Sequence, residues 1–206
     1  MPVDSVDIII PSFDNPQCLI PCVNSILLYR MFYPCRIIVV NNGHPGIFKH
    51  LPDTPDLQII NAGRNLGWEG GLKLGLERSK SKYVMFANDD IFIPRSSDLW
   101  LMNMMDNFVG PDLGAVGPTS NVVMGPQQMM RQSPYAFLYS SFLIGFCMLL
   151  KRSALDAAGG VDDSLSGGDD MDLSIRLRDA GYRLMVDRRV FVYHHGFVTG
   201  ERVHGG

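Results

Sequence analysis

The chain has 206 residues, 46% of them hydrophobic, and a formal net charge of -3 from 18 Lys and Arg against 21 Asp and Glu. That balance gives no field to draw in a polyanion, which argues against a nucleic-acid partner. No basic and apolar leader opens the chain, the longest apolar tract (142–150) is too short to cross a bilayer, and Cys18, Cys22, Cys35 and Cys147 lack the paired spacing of a zinc site.

A single domain over 1–206 is expected, with reduced cysteines and a soluble, cytoplasmic setting. Residues 6–10 form an apolar run stopped by Pro11, and 16–29 follow with Leu19, Cys22, Val23, Ile26 and Leu27 at helical spacing. Residues 36–40 make a β-branched run ended by Asn41-Asn42-Gly43, and 57–60 another ended by Asn61-Ala62-Gly63. Residues 67–78 read as a helix, although Gly70, Gly71 and Gly75 each cost about 1 kcal/mol against alanine unless something must pack closely there. The fourth strand, Tyr83 through Ala87, delivers Asn88-Asp89-Asp90 at its end. Strands and helices that alternate over short connections imply an α/β domain with a mostly parallel sheet flanked by helices. Ligands of such sheets sit beyond the carboxyl ends of the strands, so Asp89 and Asp90 are expected to face a cleft. Hard carboxylate oxygens there suit Mg²⁺ or Mn²⁺ shared with a phosphate, which points to a nucleoside diphosphate. The same residues also make an ordinary strand-ending turn.

Farther on, 97–108 reads as a helix with a methionine-rich face and 113–117 as a short strand. Residues 124–135 have no periodicity and form a long loop that either covers a site or simply connects. Residues 142–150 read as a buried strand, and Ser153 as the cap of a short helix stopped by Gly159-Gly160. Asp162, Asp163, Asp169, Asp170 and Asp172 then concentrate acid before a helix carrying Leu173, Ile175, Arg176 and Leu177. Gly167-Gly168 lets the backbone approach a ligand, while the helix dipole alone also favours carboxylates in a first turn.

Pro11-Ser12-Phe13 after the first strand, Val39-Val40-Asn41-Asn42-Gly43 after the second, Arg64-Asn65-Leu66-Gly67 before the glycine-rich helix, and Phe86-Ala87-Asn88-Asp89-Asp90 resemble a GT-A glycosyltransferase of family 2. Gly159-Gly160-Val161-Asp162 and Asp169-Asp170-Met171-Asp172-Leu173-Ser174-Ile175-Arg176 are similar to the family's GGFDE and EDxDLxxR segments. Tyr193-His194-His195-Gly196 is similar to its terminal histidine segment. These motifs span 6–196 in the family's order, and the small, non-processive, rhamnosyltransferase-like members are the nearest in character. Loops typical of dinucleotide-dependent oxidoreductases, GxGxxG, and of P-loop enzymes, GxxxxGK[ST], are absent after the first strand.

The resemblance implies a GT-A fold, with 1–117 as the nucleotide-sugar-binding half and 118–206 as a smaller acceptor and catalytic-base half. Asn88-Asp89-Asp90 takes the place of the family's DxD motif, so Asp90 is implied to hold Mn²⁺ or Mg²⁺, with Asn88 and Asp89 near the ribose or sugar. The first Asp is replaced by Asn88, whose amide oxygen still accepts a hydrogen bond. Asn41 stands where the family often has an Asp that reads the base. Pro11, Ser12, Arg64 and Asn65 fall beside base and diphosphate, although Arg64 also reads as a surface arginine. Asp170, beside Asp169, matches the general base, and His194 is implied to complete the metal shell, with His195 on the opposite strand face. Trp68 and Glu69 touch the sugar or base, or Trp68 belongs to the core.

The implied reaction is an inverting, metal-dependent transfer of one sugar from a nucleotide diphosphate sugar to a hydroxyl of a glycan, a lipid-linked or a protein acceptor. UDP is the default nucleotide, with dTDP and GDP open. The QxxRW segment and membrane helices of processive synthases are absent, which favours single-sugar transfer, as in polysaccharide biosynthesis. For a lipid-carrier acceptor, membrane attachment has to come from a partner or from sequence outside this chain. Residues 203–206 read as a tail. Asn41 and Asn88 in place of acids also fit a non-catalytic GT-A-like module that binds a nucleotide sugar or a protein.

Overall fold

The computed structural model describes residues 4–31, 33–129, 134–165 and 167–196. Strands β1 (Val6–Ser12), β2 (Cys35–Asn41), β3 (Leu57–Asn61) and β4 (Tyr83–Ala87), with helices α1 (Pro16–Tyr29) and α2 (Gly67–Arg78), lie where the apolar runs put them. The remaining elements are β5 (Ile91–Phe92), α3 (Trp100–Met105), β6 (Leu113–Thr119), β7 (Phe137–Ser140), β8 (Cys147–Lys151), α4 (Arg152–Ala157), α5 (Asp169–Asp179), β9 (Arg183–Phe191) and β10 (Tyr193–His194). The main sheet has eight strands in the order β3-β2-β1-β4-β8-β6-β9-β7. Its β3-β2-β1-β4 half is parallel, β8 runs antiparallel to both β4 and β6, and β7 closes the far edge antiparallel to β9. A separate ribbon pairs β5 with β10, setting His194 opposite Ile91 immediately after Asp90.

Both faces of the sheet are covered, and the period-two geometry of a strand divides its apolar residues between two cores. Ile8, Ile10, Ile37, Val39 and Met85 pack with Leu19, Val23 and Ile26 of α1 on one face. Ile9, Ile38, Val40, Val84 and Phe86 pack with Leu72 of α2, Leu155 of α4 and Leu177 of α5 on the other.

The glycines of α2 exist for close packing. A Cβ on Gly75 would stand 2.3 Å from Ile9 Cγ2, and one on Gly71 would stand 2.8 Å from Pro11 Cβ. The helix therefore lies directly on β1. We expect Gly75→Ala to lose about 1–3 kcal/mol through overpacking, more than the roughly 1 kcal/mol returned by helix propensity, read as a lower denaturation midpoint in urea.

Several expectations need correction. The helix expected over 97–108 is restricted to Trp100–Met105, preceded by a 3-10 turn at Arg95–Ser97. The strand expected over 142–150 begins at Cys147, because the backbone donors of 143 and 144 go to side chains rather than to a neighbouring strand. Ser153 is not a cap: α4 starts at Arg152 with Lys151 in the cap position and no side-chain bond. Strands β5, β7 and β9 escaped the sequence reading because they are short or, like Arg183–Phe191, interrupted by charge, whereas the strand expected to carry His194 is the two-residue β10. Of the loop over 124–135, the described part forms a 3-10 turn at Gly125–Gln127, and residues 130–133 and 203–206 lie outside the described residues.

Candidate active site

The carboxyl ends of β1, β2 and β4, the start of α5 and the β10 strand converge on one edge of the sheet. Asp89 and Asp90 follow β4 directly, and each is only 4% exposed, yet their surroundings differ. Asp89 is tied into the protein: Ser12 Oγ donates to its Oδ2 at 2.6 Å and Asn15 Nδ2 to its Oδ1 at 3.2 Å. Asp90 keeps one oxygen for something else. Its Oδ2 accepts the Gly196 N–H at 3.1 Å, whereas its Oδ1 is buried with no hydrogen-bond partner. A buried carboxylate oxygen without a donor is costly, and a cation is the usual remedy.

His194 stands beside that oxygen. Its Nδ1 lies 2.8 Å from the Val122 carbonyl, which can only accept, so Nδ1 carries the proton and Nε2 presents its lone pair. Nε2 accepts from Asn88 Nδ2 at 3.2 Å, a bond that a cation would replace, and stands 3.2 Å from Asp90 Oδ1, outside hydrogen-bond alignment. The Phe146 ring stacks on the imidazole at 5.1 Å, and Asn121 clamps the His194 backbone through both N–H (2.9 Å) and carbonyl (3.0 Å). Burial pulls the imidazole pKa down, the Asp90 carboxylate outweighs it, and the net shift is upward. His195 points away: it is exposed and its ring meets Tyr193 edge-on. Among the described residues no cluster of three or more His, Cys, Asp or Glu could hold a metal by itself. Asp90 and His194 thus suit Mn²⁺ or Mg²⁺, ions that take further oxygens from phosphate and water.

Asp169 and Asp170 open α5, whose start at Gly168 has φ 75°, a left-handed turn that glycine adopts without strain. Burial drives the Asp170 pKa up to about 7, the Gly145 N–H holds it lower than burial alone would, and Asp169 and Glu69 push it upward. Phe86, Met148 and Leu173, with Trp68, make the apolar lining of the small cavity beside this carboxylate. Glu69 is itself raised by burial and by Asp169 and Asp163.

The other nominated residues are distributed unevenly. Asn41, 1% exposed, is engaged through Nδ2 with Asn61 Oδ1 at 2.9 Å and through Oδ1 with the Gly43 N–H at 2.8 Å. Pro11 lies against Gly71 of α2, and Asn65 Oδ1 accepts the Gly67 N–H at 2.9 Å, shaping the turn into that helix. Arg64 is exposed in the same turn. Trp68 is partly buried, packed on the core beneath α2 and lining the Asp170 cavity. Residues that sequence reasoning missed are Asn15, Asn121, Gly145 and Phe146. Asn121 alone carried a signal, as a polar residue just past the end of a strand like Asn41 and Asn88.

Residues 7–159 match the model of the family described as Glycosyl transferase family 2. The chain belongs to glycosyl transferase family 2. This glycosyltransferase is 30% identical over 186 residues to an uncharacterized protein of Mycobacterium tuberculosis, covering 82% of its own length and 67% of the relative's. Its fold matches mannosyltransferase PcManGT from Pyrobaculum calidifontis, in complex with GDP-Man and Mn²⁺, with a TM-score of 0.75 at 20% identity over 95% of this chain and 59% of that one. It matches GalNAc-T7 with UDP, GalNAc and Mn²⁺ with a TM-score of 0.75 at 12% identity, covering 94% of this chain and 44% of the other. At those identities the likeness is one of fold, and the fold is GT-A. The family 2 chain thus spans about two thirds or less of the length of these proteins. Among its described residues no helix is long and apolar enough to cross a membrane.

Proposed function

We propose that this family 2 domain transfers one sugar, with inversion, from a nucleoside diphosphate sugar to a hydroxyl acceptor. The observation that carries this reading is the buried, unpartnered Asp90 Oδ1 beside the His194 Nε2 lone pair, at the strand ends where a diphosphate binds. Asp90 and His194 would hold Mn²⁺ or Mg²⁺. The ion would act as a Lewis acid for the charge gathering on the diphosphate. Arg64, exposed in the turn before α2, would offer the same phosphates a fork of donors, and Pro11, Ser12, Asn41 and Asn65 would shape the floor for base and ribose. Asn88 keeps an amide oxygen for the ribose or sugar. Asp89, locked to Ser12 and Asn15, fixes the turn that presents Asp90.

Asp170 takes the proton. As the acceptor oxygen bonds to the anomeric carbon, the bond to the diphosphate oxygen breaks, its electron pair leaves with the diphosphate, and the hydroxyl proton passes to Asp170. A carboxylate raised by burial is a stronger base than one in water, and Asp169 beside it sustains that shift. UDP is the first choice of nucleotide, and GDP and dTDP compete, because an amide stands at position 41 in place of the family's base-reading Asp. Rhamnosyl transfer rests on the motif resemblance, and the acceptor is a glycan, lipid-linked or protein hydroxyl. A cytoplasmic setting is part of the same reading.

Calorimetric titration of UDP, dTDP, GDP and ADP, each with and without Mn²⁺, tests the reading. One nucleotide is expected to bind, and only with the metal. No binding in any arm would leave a GT-A module without turnover.

A further inference from the structure

Residues 143–146 run between the two halves of the site, and their backbone N–H groups alternate in direction as in any extended chain. Leu143 N–H donates to Ser174 Oγ at 3.1 Å, Ile144 N–H turns the other way to Gln127 Oε1 at 2.6 Å, and Gly145 packs against the Asp170 carboxylate. Asp170 and Ser174 are one turn apart on α5, so a single helix face meets alternate residues of the segment. Ser174 and Gln127 are 0% and 1% exposed, and Gln127 is fixed in turn by its Nε2 bond to the Pro118 carbonyl at 3.2 Å. At the other end, the Phe146 carbonyl accepts the Asn88 N–H at 2.9 Å and its ring stacks on His194. Neighbouring residues therefore touch the base and the metal pair.

The contact at Gly145 leaves no room for a side chain. A Cβ there would stand 2.2 Å from Asp170 Oδ1 and 3.2 Å from its Cγ. Any other residue would push the carboxylate off the segment.

We propose that Gly145 is a positioning residue for sugar transfer: its missing side chain lets Asp170 rest on the 143–146 backbone, which Ser174 and Gln127 hold at a fixed offset from Asp90 and His194. This rests on Asp170 being the base. Proton transfer needs hydrogen-bond reach, and a displacement of about 1 Å can cost about 10²-fold in rate.

The test compares Gly145→Ala, Ser174→Ala and Asp170→Asn with wild type. Release of nucleoside diphosphate from UDP-, GDP- and dTDP-hexoses gives kcat and KM, calorimetry gives Mn²⁺-nucleotide affinity, and NMR of labelled aspartate carboxyls follows the Asp170 titration. We expect Gly145→Ala to lose about 10²-fold in kcat and Ser174→Ala about tenfold, both with a displaced Asp170 titration and with nucleotide affinity within about threefold. The proposal is overturned if Gly145→Ala keeps wild-type turnover and titration, or if affinity falls in step with turnover, as it would in a general loss of fold. Should Gly145→Ala not fold, Ser174→Ala decides, since it adds no atoms: an unmoved titration sinks the proposal. An active Asp170→Asn defeats the base assignment itself, whereas an inactive one beside active Gly145→Ala and Ser174→Ala defeats the positioning role alone.

Discussion

Replacing Asp90 by alanine should abolish metal-dependent nucleotide binding and cut transfer by at least about 10²-fold, while the metal-free protein stays as stable as wild type. The two oxygens of Asp90 have different surroundings. Oδ2 accepts one backbone N–H, which the Asp90→Ala change leaves without that acceptor, but Oδ1 is a buried acceptor with no donor, and its removal relieves a desolvation cost. Where His194 is neutral the two effects oppose each other, so stability changes little and function is lost; where it is protonated the Asp90 carboxylate also stabilises it, so the melts are compared at alkaline pH. Asp89 makes the contrast. Both of its oxygens accept buried side-chain bonds, from Ser12 and Asn15, so Asp89→Ala strands two donors and should cost about 1–3 kcal/mol or more of stability. Thermal melts without metal, paired with Mn²⁺-dependent nucleotide titrations, separate the two aspartates. Equal destabilisation by both substitutions would mean that Asp90 is structural and the cation site is wrong.

Asp170→Asn should lower turnover by about 10²–10⁴-fold with nucleotide affinity retained, because the amide keeps the size and the Gly145 contact but cannot take a proton. The pH dependence carries a sign that tests the same group twice. Burial holds Asp170 near 7 in the folded chain, so wild-type turnover should rise with pH through about 7 as the base ionises. For stability the direction reverses. Between the unfolded value of 3.8 and the folded value the native chain holds a proton that the unfolded chain has released, so unfolding loses a proton and stability falls as pH rises. This contribution is fully present below pH 3.8 and is lost as pH passes the folded value. Asp170→Asn has no such group. It should melt higher than wild type at pH 8 and alike near pH 4, and an identical pH profile of stability in the two proteins would show that Asp170 titrates normally.

The parallel half of the sheet was legible because burial on both faces demands continuous apolar runs. Val6–Ser12, Cys35–Asn41 and Tyr83–Ala87 read as such, each ending in polar side chains or, at Ala87, followed at once by them. The glycines of α2 announced a close approach, and Ile9 and Pro11 are what they approach. The later strands were hidden for the opposite reason. Arg183–Phe191 lies near the sheet edge, where Arg183 and Arg189 stack over Tyr139 and Phe137, so its charges break the apolar signal without breaking the strand.

The same divide runs through the site. Sequence alone determined the residue types and the strand end that bears them: a carboxylate pair after an apolar run, a second acidic group at a helix start, and two adjacent histidines. The motif resemblance nominated Asp90, His194 and Asp170 from these pairs, but which member faces the cleft is a matter of direction. Local sequence does not fix direction, because neighbours at i and i+1 differ only by a rotation about the backbone. Tertiary structure turned Asp89 inward to Ser12 and left Asp90 Oδ1 open, aimed His194 rather than His195 at it through the Val122 carbonyl, and set Asp170 against Gly145. Those partners lie 72 to 77 residues away for His194 and Asp89, so only the closed sheet could bring them together.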